Sequence, residues 1–162
     1  MNQISVRQLE GSKVSVQGQN SRVKRVALDL VTGQVLGLIT ESEQIIYKND
    51  LTDIGDGSVI ANEINPIELG SLADRANRSK LHLLGLIAVT QSGEEFGTVA
   101  DAILELPTLQ LQKIVVNDDG GERLIDKSQI YKITDTEVVF LDAVVKGHLN
   151  WQTKIETDNL AI

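Results

Sequence analysis

The stretch Arg22-Val-Lys-Arg-Val-Ala-Leu-Asp-Leu-Val-Thr-Gly-Gln-Val-Leu-Gly-Leu-Ile39 recurs in outline as Thr98-Val-Ala-Asp-Ala-Ile-Leu-Glu-Leu-Pro-Thr-Leu-Gln-Leu-Gln-Lys-Ile-Val115. Carried outward, the alignment sets Leu9 and Gly11 on Leu83 and Gly85, then Val23, Leu28, Asp29, Val35 and Leu38 on Val99, Leu104, Glu105, Leu111 and Ile114. Further on, Ile46, Leu51, Ile54, Val59 and Ile60 fall on Ile125, Ile130, Ile133, Val138 and Val139. The offset grows from 74 to 76 to 79 residues, and both steps fall in polar stretches. Insertions belong there, because a one-residue slip inside a strand would turn its apolar face to water. Self-similarity of this kind marks two copies of one supersecondary unit. The expected division is a first repeat over 1–61, a connector over 62–80, a second repeat over 81–145 and a tail over 146–162. A unit this small buries only roughly 60% of its unfolded surface, so the repeats are expected to lean on each other, on the connector or on a second chain.

Within each repeat, short apolar runs separated by turn residues predict an all-β unit. Lys13-Val-Ser-Val16 is followed by the predicted loop Gln17-Gly-Gln-Asn-Ser21, and Thr90-Gln-Ser-Gly-Glu-Glu95 holds the same place in the second copy. A long hairpin comes next, with tips at Val31-Thr-Gly33 and Pro107-Thr-Leu109. Asp29 and Glu105 stand just before these tips, where a carboxylate serves a turn rather than catalysis. Asn117-Asp-Asp-Gly-Gly-Glu122 reads as a tight hairpin connector, and its acids lack the alternating oxygen ligands of a calcium loop. The spacing of three from Leu51 to Ile54 and from Ile130 to Ile133 predicts one helical or 3₁₀ turn that sends both side chains inward. Val23, Leu28, Val35 and Ile46 are the expected core of the first repeat, and Val99, Leu104, Leu111 and Ile125 that of the second.

In the connector, Ser71-Leu-Ala-Asp-Arg-Ala-Asn-Arg78 predicts a short helix, with Ser71 as N-cap and Asp74 completing an approximate capping box. The tail holds the single tryptophan, Trp151, among Leu149, Ile155, Leu160 and Ile162. Side chains so apolar are expected to dock on the chain's own repeats, across a homodimer contact or on a partner, with Trp151, Leu149 and Ile155 as contact candidates.

Aromatic residues make up only 3% of the chain, so the cores are aliphatic and there is no stacking platform for single-stranded nucleic acid. The absence of cysteine excludes disulfides, thiolate metal sites and a cysteine nucleophile. The N-terminal residues lack the pattern of a secretory signal, and no apolar run is long enough to span a bilayer, so a soluble cytoplasmic protein is expected.

The net charge of −8 is unevenly placed: residues 1–60 carry six basic and seven acidic side chains, and residues 85–145 carry four and eleven. Glu94, Glu95, Asp118, Asp119 and Glu122 make the second repeat a candidate surface for steering a basic partner protein. Such a field disfavours nucleic acid. The one tight basic cluster, Arg22, Lys24 and Arg25, is the candidate contact for RNA, with Arg75, Arg78 and Lys80 beyond it. The two histidines, His82 and His148, have no acidic residue at ligand spacing beside them. No dinucleotide, Walker or nucleophile-elbow glycine motif is present. No catalytic residue, metal or cofactor is therefore expected.

The second copy is the one that most closely resembles a known family. Leu84-Gly-Leu-Ile-Ala-Val-Thr-Gln-Ser-Gly-Glu-Glu-Phe-Gly-Thr-Val-Ala-Asp-Ala-Ile-Leu104 has the leading Gly85, the Ser-Gly-Glu turn, the Phe-Gly-Thr-Val step and the acidic Asp101. In these features it resembles a PRC-barrel domain, the small β-barrel of the photosynthetic reaction-centre H subunit and of the ribosomal small-subunit maturation factor. The first copy keeps Leu9-x-Gly11, Val14 and the Asp29-Leu-Val-Thr-Gly33 turn, and it departs at Ser21, where the family usually has glycine. The maturation factor's N-terminal domain and the H subunit's membrane helix have no counterpart.

The resemblance implies an all-β fold of two tandem PRC-type β-barrels, joined by a short, partly helical connector and followed by a C-terminal tail. It further implies a non-enzymatic protein-interaction module acting in assembly or regulation of a larger complex, photosynthetic by family analogy, with peripheral association with a membrane complex among its settings. A ribosome- or RNA-associated maturation factor and a small-ligand-binding protein are the alternatives.

Overall fold

The computed structural model describes residues 2–29, 32–79 and 82–144. It opens with β1 (Gln3–Ser5) and a single helical turn, α1 (Val6–Leu9), closed by a reciprocal capping box between Ser5 and Gln8. The first repeat then runs β2 (Lys13–Val16), β3 (Gln19–Leu28), β4 (Val35–Thr40), β5 (Gln44–Tyr47), a 3₁₀ turn at Lys48–Asp50, β6 (Leu51–Gly55) and β7 (Ser58–Ala61). The connector contributes β8 (Asn65–Pro66) and the helix α2 (Leu72–Ser79). The second repeat follows as β9 (Ile87–Thr90), β10 (Glu95–Glu105), β11 (Gln110–Asp118), β12 (Gly121–Asp126), a 3₁₀ turn at Lys127–Gln129, β13 (Ile130–Ile133) and β14 (Glu137–Phe140).

These strands form two mixed sheets, one of which curls into a half-barrel. The first sheet has the order β6-β7-β2-β3-β4-β5-β8, and the second β13-β14-β9-β10-β11-β12. Six strands thus recur in one order. The single parallel pairing in each set recurs too, β2 with β7 and β9 with β14. Backbone detail repeats with it: Gly11 and Gly85 both take positive φ, and each donates its N–H to the long strand, at Val23 and Val99. At the hairpin tips Gly33 and Leu109 occupy the same left-handed conformation, and their N–H groups donate to the carbonyls of Asp29 and Glu105. The side chains of those two acids accept from Thr32 and Thr108, which gives both the turn role expected of them.

All eight expected core residues are buried. One continuous aliphatic cluster runs through both repeats, with Phe96 set edge-on to Phe140 at 5.5 Å. The backbones of β4 and β5 come so close at Gly37 that a Cβ there would strike the Ile46 carbonyl, which reserves the position for glycine.

Two local expectations are corrected. Leu51–Ile54 and Ile130–Ile133 are strand, and the 3₁₀ turns precede them. A register shift between Leu51 and Asp53, and again between Ile130 and Lys132, lets residues three apart share a face of an extended strand. Gln19–Ser21 also belong to a strand, since positive φ at Gln17 and Gly18 closes the turn in two residues. Their polarity reflects exposure rather than a loop.

The start of the chain lies across both repeats. β1 pairs with β10 of the second repeat, Gln3 to Glu105 through Ser5 to Ile103, and α1 packs against both β3 and β10. In the opposite direction α2 packs on the first repeat, setting Ala73 and Ala76 on the outer face of its sheet at Ala27, Ile39 and Ile45. Ser71 caps its N-terminus as expected, its hydroxyl accepting from the Asp74 N–H at 3.0 Å, while the Asp74 carboxylate accepts from the Gly70 N–H at 2.8 Å instead of closing a capping box on Ser71.

Candidate functional site

Each member of the basic cluster on β3 has a partner within the fold, although Arg22 and Lys24 remain exposed. Arg22 Nη1 donates to the Gly11 carbonyl at 2.9 Å, and Lys24 Nζ sits 2.7 Å from Glu43, whose carboxyl it holds below the ordinary range. Arg25 Nη2 donates to the Asn77 side chain at 2.8 Å and fastens α2 in place. Arg78 pairs with Asp74 at 3.0 Å, and Lys80 lies outside the described residues.

The acidic candidates gather at one end of the second sheet. Thr98 pairs with Asn117, so the turn bearing Glu94 and Glu95 stands beside the β11–β12 hairpin bearing Asp118, Asp119 and Glu122. Four of these side chains are exposed, whereas Asp118 is turned inward, 3.9 Å from the buried Arg123. Burial works against the charge of Arg123 and Asp118 works for it; its guanidinium also lies over the Phe96 ring and donates to the Val144 carbonyl at 3.1 Å. Leu149, Trp151, Ile155 and His148 lie outside the described residues.

The feature that sequence reasoning missed lies between the repeats. A cleft of about 330 Å³ is lined by equivalent residues of both copies: Gln34 with Gln110, Val35 with Leu111, and Lys48 with Lys127. Thr32, Tyr131 and Lys132 extend its polar wall, while Ile130 and Ile133 add to the apolar lining. Lys48 and Lys127 each open a 3₁₀ turn, so the same local geometry places a lysine of each repeat in the lining. Among the described residues no carboxylate belongs to the lining and none of the three lysines is in an ion pair. The charged side chains of this lining are thus all cationic in a chain of net charge −8, with Asp126 beside Lys127 and with Glu95 and Glu137 in the neighbouring depression that Lys132 also borders. The signal was present as the equivalence of Lys48 and Lys127 at the offset of 79.

A second polar site joins the first repeat to the segment leading into the second. His82 Nε2 lies 2.7 Å from Glu10 Oε2, although the two are 72 residues apart. Burial pushes the Glu10 carboxyl above its ordinary value against the opposing pull of His82; nearby Asp101 adds to the rise and Arg25 opposes it. The surrounding depression is lined by Arg7, Gly85, Asn117 and Glu122, and it offers no serine, threonine or cysteine as a nucleophile. Among the described residues no group of three or more histidine, aspartate or glutamate side chains could hold a metal ion. Nor is any described helix long and apolar enough to cross a membrane.

No family model matches the chain, and no curated protein matches it.

Proposed function

We propose that the chain is a non-enzymatic docking module, two PRC-barrel-type units in tandem, that takes an acidic, extended segment of a partner protein into the cleft between them. The observation that carries this reading is the convergence of Lys48, Lys127 and Lys132 on one carboxylate-free cleft of an acidic chain. Glutamine and tyrosine beside the lysines provide donors and one aromatic surface for a peptide. The recurring six-strand order supports a duplicated β unit, and assembly or regulation of a larger complex is the setting that the family resemblance implies.

The surface is bipolar along β11. Gln110 at its start lines the cleft, and Asp118 at its end adjoins the acidic tip, eight residues and roughly 27 Å away. Charges of opposite sign at that separation orient an approaching partner.

The test is titration of a fluorescent polyglutamate peptide into the full chain and into Lys48→Glu/Lys127→Glu/Lys132→Glu, with circular dichroism confirming that both are folded. Affinity should fall by about tenfold or more in the variant, since close charge pairs at interfaces couple by at least 1.5 kcal/mol. Equal affinities would remove the cleft as the docking site. Preferential binding of single-stranded RNA with a steep salt dependence would favour the maturation-factor alternative instead.

A further inference from the structure

The two repeats end alike in their strands, and one of them has its outer face covered. After β7 the chain crosses to the edge strand β5, pairs there as β8, and folds back as α2 over the outer face. Ala27, Ile39 and Ile45 on that face are buried to 1%, 0% and 0% exposure.

After β14 the chain arrives at the corresponding place. At the offset of 79 that aligns these strands, Val144 is the counterpart of Asn65 in β8. It is buried, and its carbonyl is held by Arg123 on β12, the counterpart of β5. The outer face ahead of it presents Ile103, Val115 and Leu124, the counterparts of Ala27, Ile39 and Ile45. Here Ile103 and Val115 are half-buried and Leu124 is 53% exposed. The exposed Leu124 and the half-buried Ile103 and Val115, with Asp101, Lys113 and Asp126 around them, thus lie less covered than the equivalent face of the first sheet.

We propose that the chain's own C-terminal segment, residues 145–162, covers the outer face of the second sheet as α2 covers the first. Its length suffices: 14 residues follow Asn65 to the end of α2, and 18 follow Val144. Its composition matches, with Leu149, Trp151, Ile155, Leu160 and Ile162 among polar residues. The offset of 79 sets Ile155 on Ala76, one of the two alanines through which α2 meets the first sheet, while the other, Ala73, falls on Gln152 and the exposed Leu72 on Trp151. The inference is independent of the lysine cleft.

The chain has one tryptophan and no cysteine, so two measurements on the full-length protein decide the matter. Trp151 emission in the native protein should be blue-shifted from that of the denatured chain and move to the red in Leu124→Lys, with Leu72→Lys on α2 as the control that leaves it unchanged. Leu124 is exposed enough for the lysine to be carried without unfolding, and circular dichroism verifies this. Under mild oxidation Leu124→Cys/Ile155→Cys should form a disulfide within the monomer at low protein concentration. Native emission like that of free tryptophan, or emission indifferent to Leu124→Lys, would overturn the proposal. So would a disulfide that forms only between chains, which would assign the face to a second copy's tail.

Discussion

At the residue scale, Glu10 shows how burial decides the behaviour of a charge. Its contact with His82 alone would lower the carboxyl's proton affinity, yet removal from water outweighs it and the value rises. A raised carboxyl contributes stability that is fully present below its ordinary value of 4.5 and is lost as the pH climbs through the folded value. Glu10→Gln removes that titration while keeping an acceptor for His82. The variant should therefore gain stability relative to the wild type as the pH rises above 4.5, measured as the difference in urea midpoints. A difference that stays constant or runs the other way would mean that the pair with His82 dominates.

At the element scale, β10 bears more of the structure than any other strand. It pairs with β9 along its first half, with β11 along most of its length, and with β1 at its end. Leu104 sits where the last two pairings meet and is 1% exposed. Leu104→Ala should lower the unfolding free energy by about 2 to 5 kcal/mol, because the surrounding sheet cannot collapse into the space left behind. The exposed Ile60 on β7 is the contrast, where truncation should stay within about 0.5 kcal/mol. The recurrence of β-spaced apolar runs was enough to place β7, β9, β10 and β11, since alternation and turn chemistry are local properties, whereas β1, whose partner lies in the second repeat, was not read from the sequence. The bulges in β6 and β13 were not legible, because a spacing of three reads as a helical turn until the ladder partner is known.

For the whole molecule, the question is whether two repeats make two folding units. The core runs through both, β1 belongs in sequence to the first repeat and in space to the second sheet, and α2 returns onto the first. Unfolding should therefore be a single transition, with circular dichroism and amide exchange in the two repeats reporting coincident midpoints. Two separated transitions would show that the lead-in segments contribute little to holding the repeats together.

By itself, the sequence determined that one β unit occurs twice, that its core is aliphatic, and that a capped helix lies between the copies. Those properties follow from side-chain alternation, turn residues and capping residues within a few positions of one another. Only the tertiary structure decided that Lys48, Lys127 and Lys132 line one cleft, that His82 meets Glu10, and that Arg25 fastens α2 instead of standing free. Each of these depends on how one repeat is set against the other or against the connector. That placement is fixed by the packing of buried faces, which no short stretch of the chain encodes.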